Sequence, residues 1–212
     1  MFDAKLKQHI DPVLDRAGKA LAGVGVTANQ ITVAGLLLGC LAAGLIVAKA
    51  YLAGLLFLLI SRLMDGLDGA VARARQKTDL GGYLDIVFDF IFYGLIPLGF
   101  ALADRSVNAL PAAVLLMAFY ANGASFLSFA IMAEKRQIST TSHGSKSLYF
   151  TGGLAEAGET FAFFAAFCLL PGHFPVLAYL FAAITSVTTI SRILLAIKLF
   201  GTVQTGSDDC AE

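Results

Sequence analysis

Four aspartates in the first half of this 212-residue chain stand in two pairs, Asp65 with Asp68 and Asp85 with Asp89. On helices, separations of three and four residues put both members of a pair on one face. A short link around Lys77 would fold the two helices antiparallel and let those faces meet. Four converging anionic groups have to be neutralised. Arg62, Arg73 and Arg75 could do this as a buried ionic network, or some of the carboxyls could be protonated. Hard oxygen donors gathered without His or Cys suit Mg²⁺ or Mn²⁺ better, and these ions hold phosphates in transfer reactions.

Other polar residues join this pattern. Gly69, one turn from Asp65, leaves a notch where a ligand can approach the backbone, and Gly81 does the same on the following helix. Close helix packing by small residues explains both glycines equally well. Arg73 is of a type that pairs with phosphate. Glu156 and Glu159, three apart beside Gly152, Gly153 and Gly158, share a face suited to a polar cavity. Lys135, Arg136 and Lys146 flank a polar loop from Ser139 to His143, where a phosphorylated substrate would find counter-ions. Asn122, Ser125 and Ser128 read as hydrogen-bonding glue between helices. Asp79 reads as a helix cap or loop charge, and His143 and His173 are isolated.

The elements that carry these residues are membrane helices. The chain is 58% apolar and 14% charged, against about 25% charged in soluble domains, too little polar surface for water. Net charge is zero, and no basic stripe interleaves with aromatics, so nucleic acid is not an expected partner. Cys40, Cys168 and Cys210 lie far apart, without ligand spacing, and read as two buried residues and one in the tail.

Residues 1–26 show no cleavable signal. Phe2, Leu6, Ile10, Val13, Leu14 and Leu21 recur there at helical spacing between charges, which predicts an amphipathic helix in the membrane interface. Residues 27–200 supply six apolar segments of spanning length, at 28–48, 51–75, 80–102, 108–133, 148–170 and 174–199. Residues 201–212 read as a disordered tail. Of the fifteen Lys and Arg, all but Lys49 and Arg105 fall on one side of this layout, which predicts cytoplasmic termini. The expected fold is all-α: six transmembrane helices behind an interfacial helix.

The aspartates belong to a longer pattern. Asp65, Asp68-Gly69, Ala72-Arg73, Gly81, Asp85 and Asp89 occupy the eight fixed positions of a 25-residue motif, an agreement expected by chance about once in a billion if each position matches at roughly 7%. The segment resembles the signature of the CDP-alcohol phosphotransferase (CDP-alcohol phosphatidyltransferase) family. The stretch from Val26 to Thr32 looks like that family's entry to the first helix, with Ala28 where Pro is more common.

The resemblance implies a bacterial inner-membrane enzyme of phospholipid biosynthesis. It would move a phosphatidyl-type group from a CDP-alcohol, CDP-diacylglycerol above all, to the hydroxyl of a small polar alcohol and release CMP. It further implies two Mg²⁺ or Mn²⁺ ions held by Asp65, Asp68, Asp85 and Asp89, with Asp89 as general base. Asn29, Gly69, Arg73 and Gly81 would contact the nucleotide, and the protein would be a homodimer. The basic residues Lys135, Arg136 and Lys146 tilt the acceptor toward a phosphorylated polyol such as glycerol 3-phosphate or inositol phosphate, and Glu156 and Glu159 are expected to line the acceptor cavity. Unphosphorylated inositol or serine is the alternative. A cation transporter would also place acids mid-helix, but it predicts pore-lining charge or broken half-helices, and the sequence has neither.

Overall fold

The computed structural model describes residues 2–136 and 157–201, with side chains from residue 11 in the first stretch and from 158 in the second. They form α1 (Phe2–Gly23), α2 (Ala28–Val47), α3 (Tyr51–Ala74), α4 (Asp79–Ala103), α5 (Arg105–Lys135), α6 (Ala157–Leu169), a 3₁₀ turn at Pro171–His173, and α7 (Phe174–Phe200). The described residues contain no strand.

Local chemistry sets the boundaries. Thr27 opens α2 with a capping box: its Oγ1 accepts from the Gln30 N–H, and Gln30 Oε1 accepts from the Thr27 N–H. This satisfies two backbone donors that a helix start leaves without partners. Thr78 caps α4 by accepting from Gly81 N–H; Asp79 is therefore the first helical residue, not the cap. Gly25, at φ 97°, lets the chain leave α1.

Among the described residues, four segments are long and apolar enough to cross a membrane: α2, α4, α5 and Pro171–Phe200, which contains α7. α3 has 24 residues but carries Arg62, Asp65, Asp68 and Arg73. α6 contributes 13 residues, and much of the span expected at 148–170 lies outside the described residues. The core is aromatic. Phe92, Phe100, Phe164, Phe167, Phe174 and Phe181 are fully buried, while Leu37, Leu52, Met117, Leu180 and Ile197 face outward. An apolar exterior around an apolar core is what a lipid solvent allows.

α2 lies against both α3 and α4, whereas α3 and α4 meet each other only sparsely. Small residues permit the approach: a Cβ on Gly39 would stand 2.7 Å from Phe92 Cδ2. A buried bond from Ser61 Oγ to the Gly35 carbonyl, 2.7 Å, ties α3 to α2. The paired aspartates thus face each other across a groove floored by α2, where direct antiparallel packing of their helices was expected. α1 docks along α3, with Leu14 against Gly66 and Gly18 against Ala70.

Three residues differ from expectation. Arg62 and Arg192 were counted as charges at helix ends, but Arg192 is buried and the Arg62 side chain turns into the bundle with little of it exposed. Arg192 donates from Nη1 to Asn122 Oδ1 (2.9 Å), the Asn122 carbonyl (3.1 Å) and Ser125 Oγ (2.8 Å), so α5 supplies the glue expected of Asn122 and Ser125. Cys168 is buried as expected, whereas Cys40 is exposed on the outer face of α2.

Candidate active site

The groove assembles its side chains from three helices. Carboxylate oxygens of Asp65 on α3 and of Asp85 and Asp89 on α4 all lie within 4.8 Å of one another. Asp68, one turn after Asp65, is buried, and its Oδ2 has no hydrogen-bond partner. Buried oxygens are rarely left in that condition without an ion or water to meet. A narrow hollow lined by Thr32, Gly35, Ser61, Arg62, Phe88 and all four aspartates joins them. Oxygen donors alone, close enough to share one centre and with an unsatisfied member, fit a hard divalent ion.

Asp68 and Asp85 also line a cavity of about 680 Å³, within the usual range for a small-molecule site. Its walls include Thr27, Asn29 and Thr32 from α2, Gly69 and Arg73 from α3, Lys77 from the link, and Gly81 and Gly82 from α4. All four residues expected to contact nucleotide therefore share one cavity. The two glycines differ in use. A Cβ on Gly81 would stand 3.1 Å from Asn29 Oδ1, so that glycine admits the start of α2, whereas one on Gly69 would meet only Arg73 Nη1, at 3.4 Å.

Two further cations mark the groove. Arg62 Nη1 donates to Asp89 Oδ1 at 2.7 Å and lies 3.6 Å from Asp65 Oδ1. Arg73 donates from Nη2 (2.7 Å) and Nε (3.3 Å) to Asp15 Oδ1 on α1. Of the anticipated buried network, Arg62 is the member that joins the aspartates; Arg75 reaches the Ala22 carbonyl instead. Thr32 and Asp15 were missed as site residues in the sequence, and Arg62 was anticipated only as one of three arginines in a possible ionic network. An arginine one turn before Asp65 inside an apolar segment was the available signal for Arg62.

Of the residues expected to meet the acceptor, Lys135, Arg136 and Glu159 stand apart from the two hollows described above. Lys135 and Arg136 end α5, where Arg136 donates to the Leu199 and Phe200 carbonyls and covers the end of α7. Glu159 is exposed in the first turn of α6. Lys146 and Glu156 lie outside the described residues.

Residues 25–204 match the family model of the CDP-alcohol phosphatidyltransferases. The inner membrane protein YnjF of Escherichia coli (strain K12) is 44% identical over 193 residues, 91% of this chain and 94% of that protein. An archaetidylinositol phosphate synthase of Pyrococcus horikoshii is 38% identical over 101 residues, 47% of this chain and 53% of that one. Phosphatidylinositol phosphate synthase (PgsA1) of Mycobacterium tuberculosis, solved with CDP-DAG bound, superposes with a TM-score of 0.71 at 20% identity, covering 95% of this chain and all of that one. The same enzyme has been solved with manganese and citrate; there the TM-score is 0.67 at 21% identity, over 93% of each chain. The chain belongs to the CDP-alcohol phosphatidyltransferase family. It is a membrane transferase of phospholipid biosynthesis.

Proposed function

We propose that the protein transfers a phosphatidyl group from CDP-diacylglycerol to a hydroxyl of a phosphorylated polyol, in the family of inositol phosphate and glycerol 3-phosphate, and releases CMP. The observation that carries this reading is the joining of the four-aspartate cluster to a nucleotide-sized cavity through Asp68 and Asp85. Support for the donor comes from the PgsA1 structure with CDP-DAG. Support for the acceptor comes from PgsA1 and the archaetidylinositol phosphate synthase, whose names both specify a lipid product that carries inositol phosphate.

In the reaction, the acceptor oxygen attacks the phosphorus that bears the diacylglycerol, the bond from that phosphorus to the CMP oxygen breaks, and CMP departs. Asp65, Asp68, Asp85 and Asp89 would hold Mg²⁺ or Mn²⁺, two ions in this reading, which supply positive charge to the attacking and leaving oxygens. Asn29, Gly69 and Gly81 border the nucleotide, and Arg73 pairs with its phosphate. Asp89 takes the proton of the attacking hydroxyl. Holding the acceptor and phosphorus in line contributes more than base strength, because orientation removes an entropic cost from the barrier. Glu159 and the basic residues Lys135, Arg136 and Lys146 remain candidates for the acceptor side, with Glu156.

The same reading sets the protein in a bacterial inner membrane with six crossings and α1 in the interface. α3, at 24 residues, is about 36 Å long, enough to cross, and the segment ending in α6 completes the count. Without Arg62 and Arg192, which turn into the bundle, the thirteen Lys and Arg on one side become eleven against two on the other, a bias that supports cytoplasmic termini. A homodimer is part of the proposal.

Purified protein incubated with labelled CDP-diacylglycerol and a panel of acceptors tests it by CMP release and product lipid mass. Release is expected with a phosphorylated polyol, lost in EDTA, restored by Mn²⁺ or Mg²⁺, and at least 100-fold lower in Asp89→Asn. Ion flux in liposomes with no CMP from any acceptor would favour a transporter instead.

A further inference from the structure

Arg62 is a cation that the fold builds into the aspartate cluster, and neither the eight-position motif nor the transfer reaction gives it a task. Its side chain is 11% exposed. Cζ lies 3.7 Å from the centre of the Phe92 ring and 5.8 Å from that of Phe161, and aromatic faces hold a guanidinium by electrostatic attraction. From that seat Nη1 reaches Asp89 Oδ1 at 2.7 Å and Asp65 Oδ1 at 3.6 Å. These are two of the three residues whose oxygens gather within 4.8 Å.

We propose that Arg62 is a resident counter-ion that competes with a divalent ion for Asp89 and Asp65. The proposal rests on the metal-site reading above. Carboxylates this close repel one another across a site of low dielectric, and Arg62 offsets one of the four negative charges. Its bond to Asp89 uses lone-pair capacity that an ion would also need. A guanidinium that merely orients a ligand carboxylate strengthens metal binding by about 10- to 100-fold. Opposing this is charge repulsion at short range, doubled because the ion is divalent. Repulsion dominates here, because the guanidinium nitrogen contacts the ligand oxygen itself and also stands beside Asp65. Arg62 therefore holds the cluster together and loosens its grip on an ion.

Competition and orientation predict opposite signs. The full-length protein in detergent is titrated with Mn²⁺ alone, free ion being read by electron paramagnetic resonance, and its thermal midpoint is measured in EDTA and in saturating Mn²⁺. Arg62→Met keeps apolar volume against Phe92 and removes the charge; it is expected to bind Mn²⁺ at least tenfold more tightly than the unsubstituted protein. Its midpoint in EDTA should fall by several degrees, and Mn²⁺ should raise it by more than it raises the parent. In an Asp89→Asn background the tightening should shrink, because the two residues act through one contact. Arg62→Gln, neutral but able to hydrogen-bond Asp89, carries the same test if Arg62→Met does not survive extraction. Equal or weaker Mn²⁺ binding by the neutral variants overturns the proposal, as does a parent protein that takes up no Mn²⁺. CMP release is read separately: its absence with the Mn²⁺ shifts intact removes the transferase reading alone.

Discussion

Arg73 presents two edges to different partners. Nε and Nη2 are held by Asp15 of α1, while Nη1 lies over Gly69 beside the cavity. A guanidinium fixed along one edge loses less freedom when the other edge meets phosphate. Both side chains of the pair are nearly half exposed, 48% and 46%, and such pairs add little to stability; the value of this one lies in direction. Arg73→Ala should raise the KM for CDP-diacylglycerol about tenfold or more, the loss typical of a charge-assisted hydrogen bond. The effect on kcat should be smaller, and initial rates of CMP release over a range of donor concentrations would show a different split if Arg73 acted in the chemical step.

At the scale of elements, the link between α2 and α3 is a strained reversal. Lys49 has φ 62°, a left-handed conformation that L-residues with a Cβ adopt at a cost of about 1 kcal/mol or more. It persists because backbone bonds from Lys49 N–H to Ile46 and from Ala50 N–H to Leu45 satisfy carbonyls at the end of α2. Lys49 is exposed, and its attraction to Asp104 is screened by solvent and worth little, so Lys49→Gly should stabilise the protein by about 1 kcal/mol. A thermal midpoint higher by roughly 2–4 °C in detergent is the corresponding reading. Helix starts behave differently, because a capping hydroxyl needs only its own first turn to act: Thr27 caps α2 and Thr78 caps α4, one residue before the Asp79 that the sequence offered as a cap or loop charge.

For the molecule as a whole, α2 sets the distance between the aspartate pairs. A Cβ at Gly39 would stand 2.7 Å from Phe92 of α4, and Phe92 in turn seats Arg62. A larger side chain at position 39 must push α4 away from α3, separating Asp85 and Asp89 from Asp65. Gly39→Leu is expected to destabilise the fold by about 1–3 kcal/mol, as overpacking does, and to weaken Mn²⁺ binding at least tenfold. Destabilisation with unchanged Mn²⁺ affinity would show that the groove width is set elsewhere.

Read alone, the chain already declared a lipid solvent, an all-helical fold and a cluster of acidic candidate ligands. Those depend on local quantities: composition decides whether water or lipid surrounds a segment, and residue spacing decides which side chains share a helix face. The pairing of the aspartates was legible for that reason, whereas Asn29, Gly69, Arg73 and Gly81 were singled out as nucleotide contacts through the family resemblance. What needed the tertiary structure was every relation between helices: α2 as the floor of the groove, Arg62 turned inward onto Asp89 when its position suggested a topology charge, Arg192 bonded to α5, and Asp15 brought to Arg73 across 58 residues. An arginine in an apolar segment is equally consistent with a membrane boundary or a buried pair. Only packing determines whether a carboxylate or the membrane surface lies within its reach.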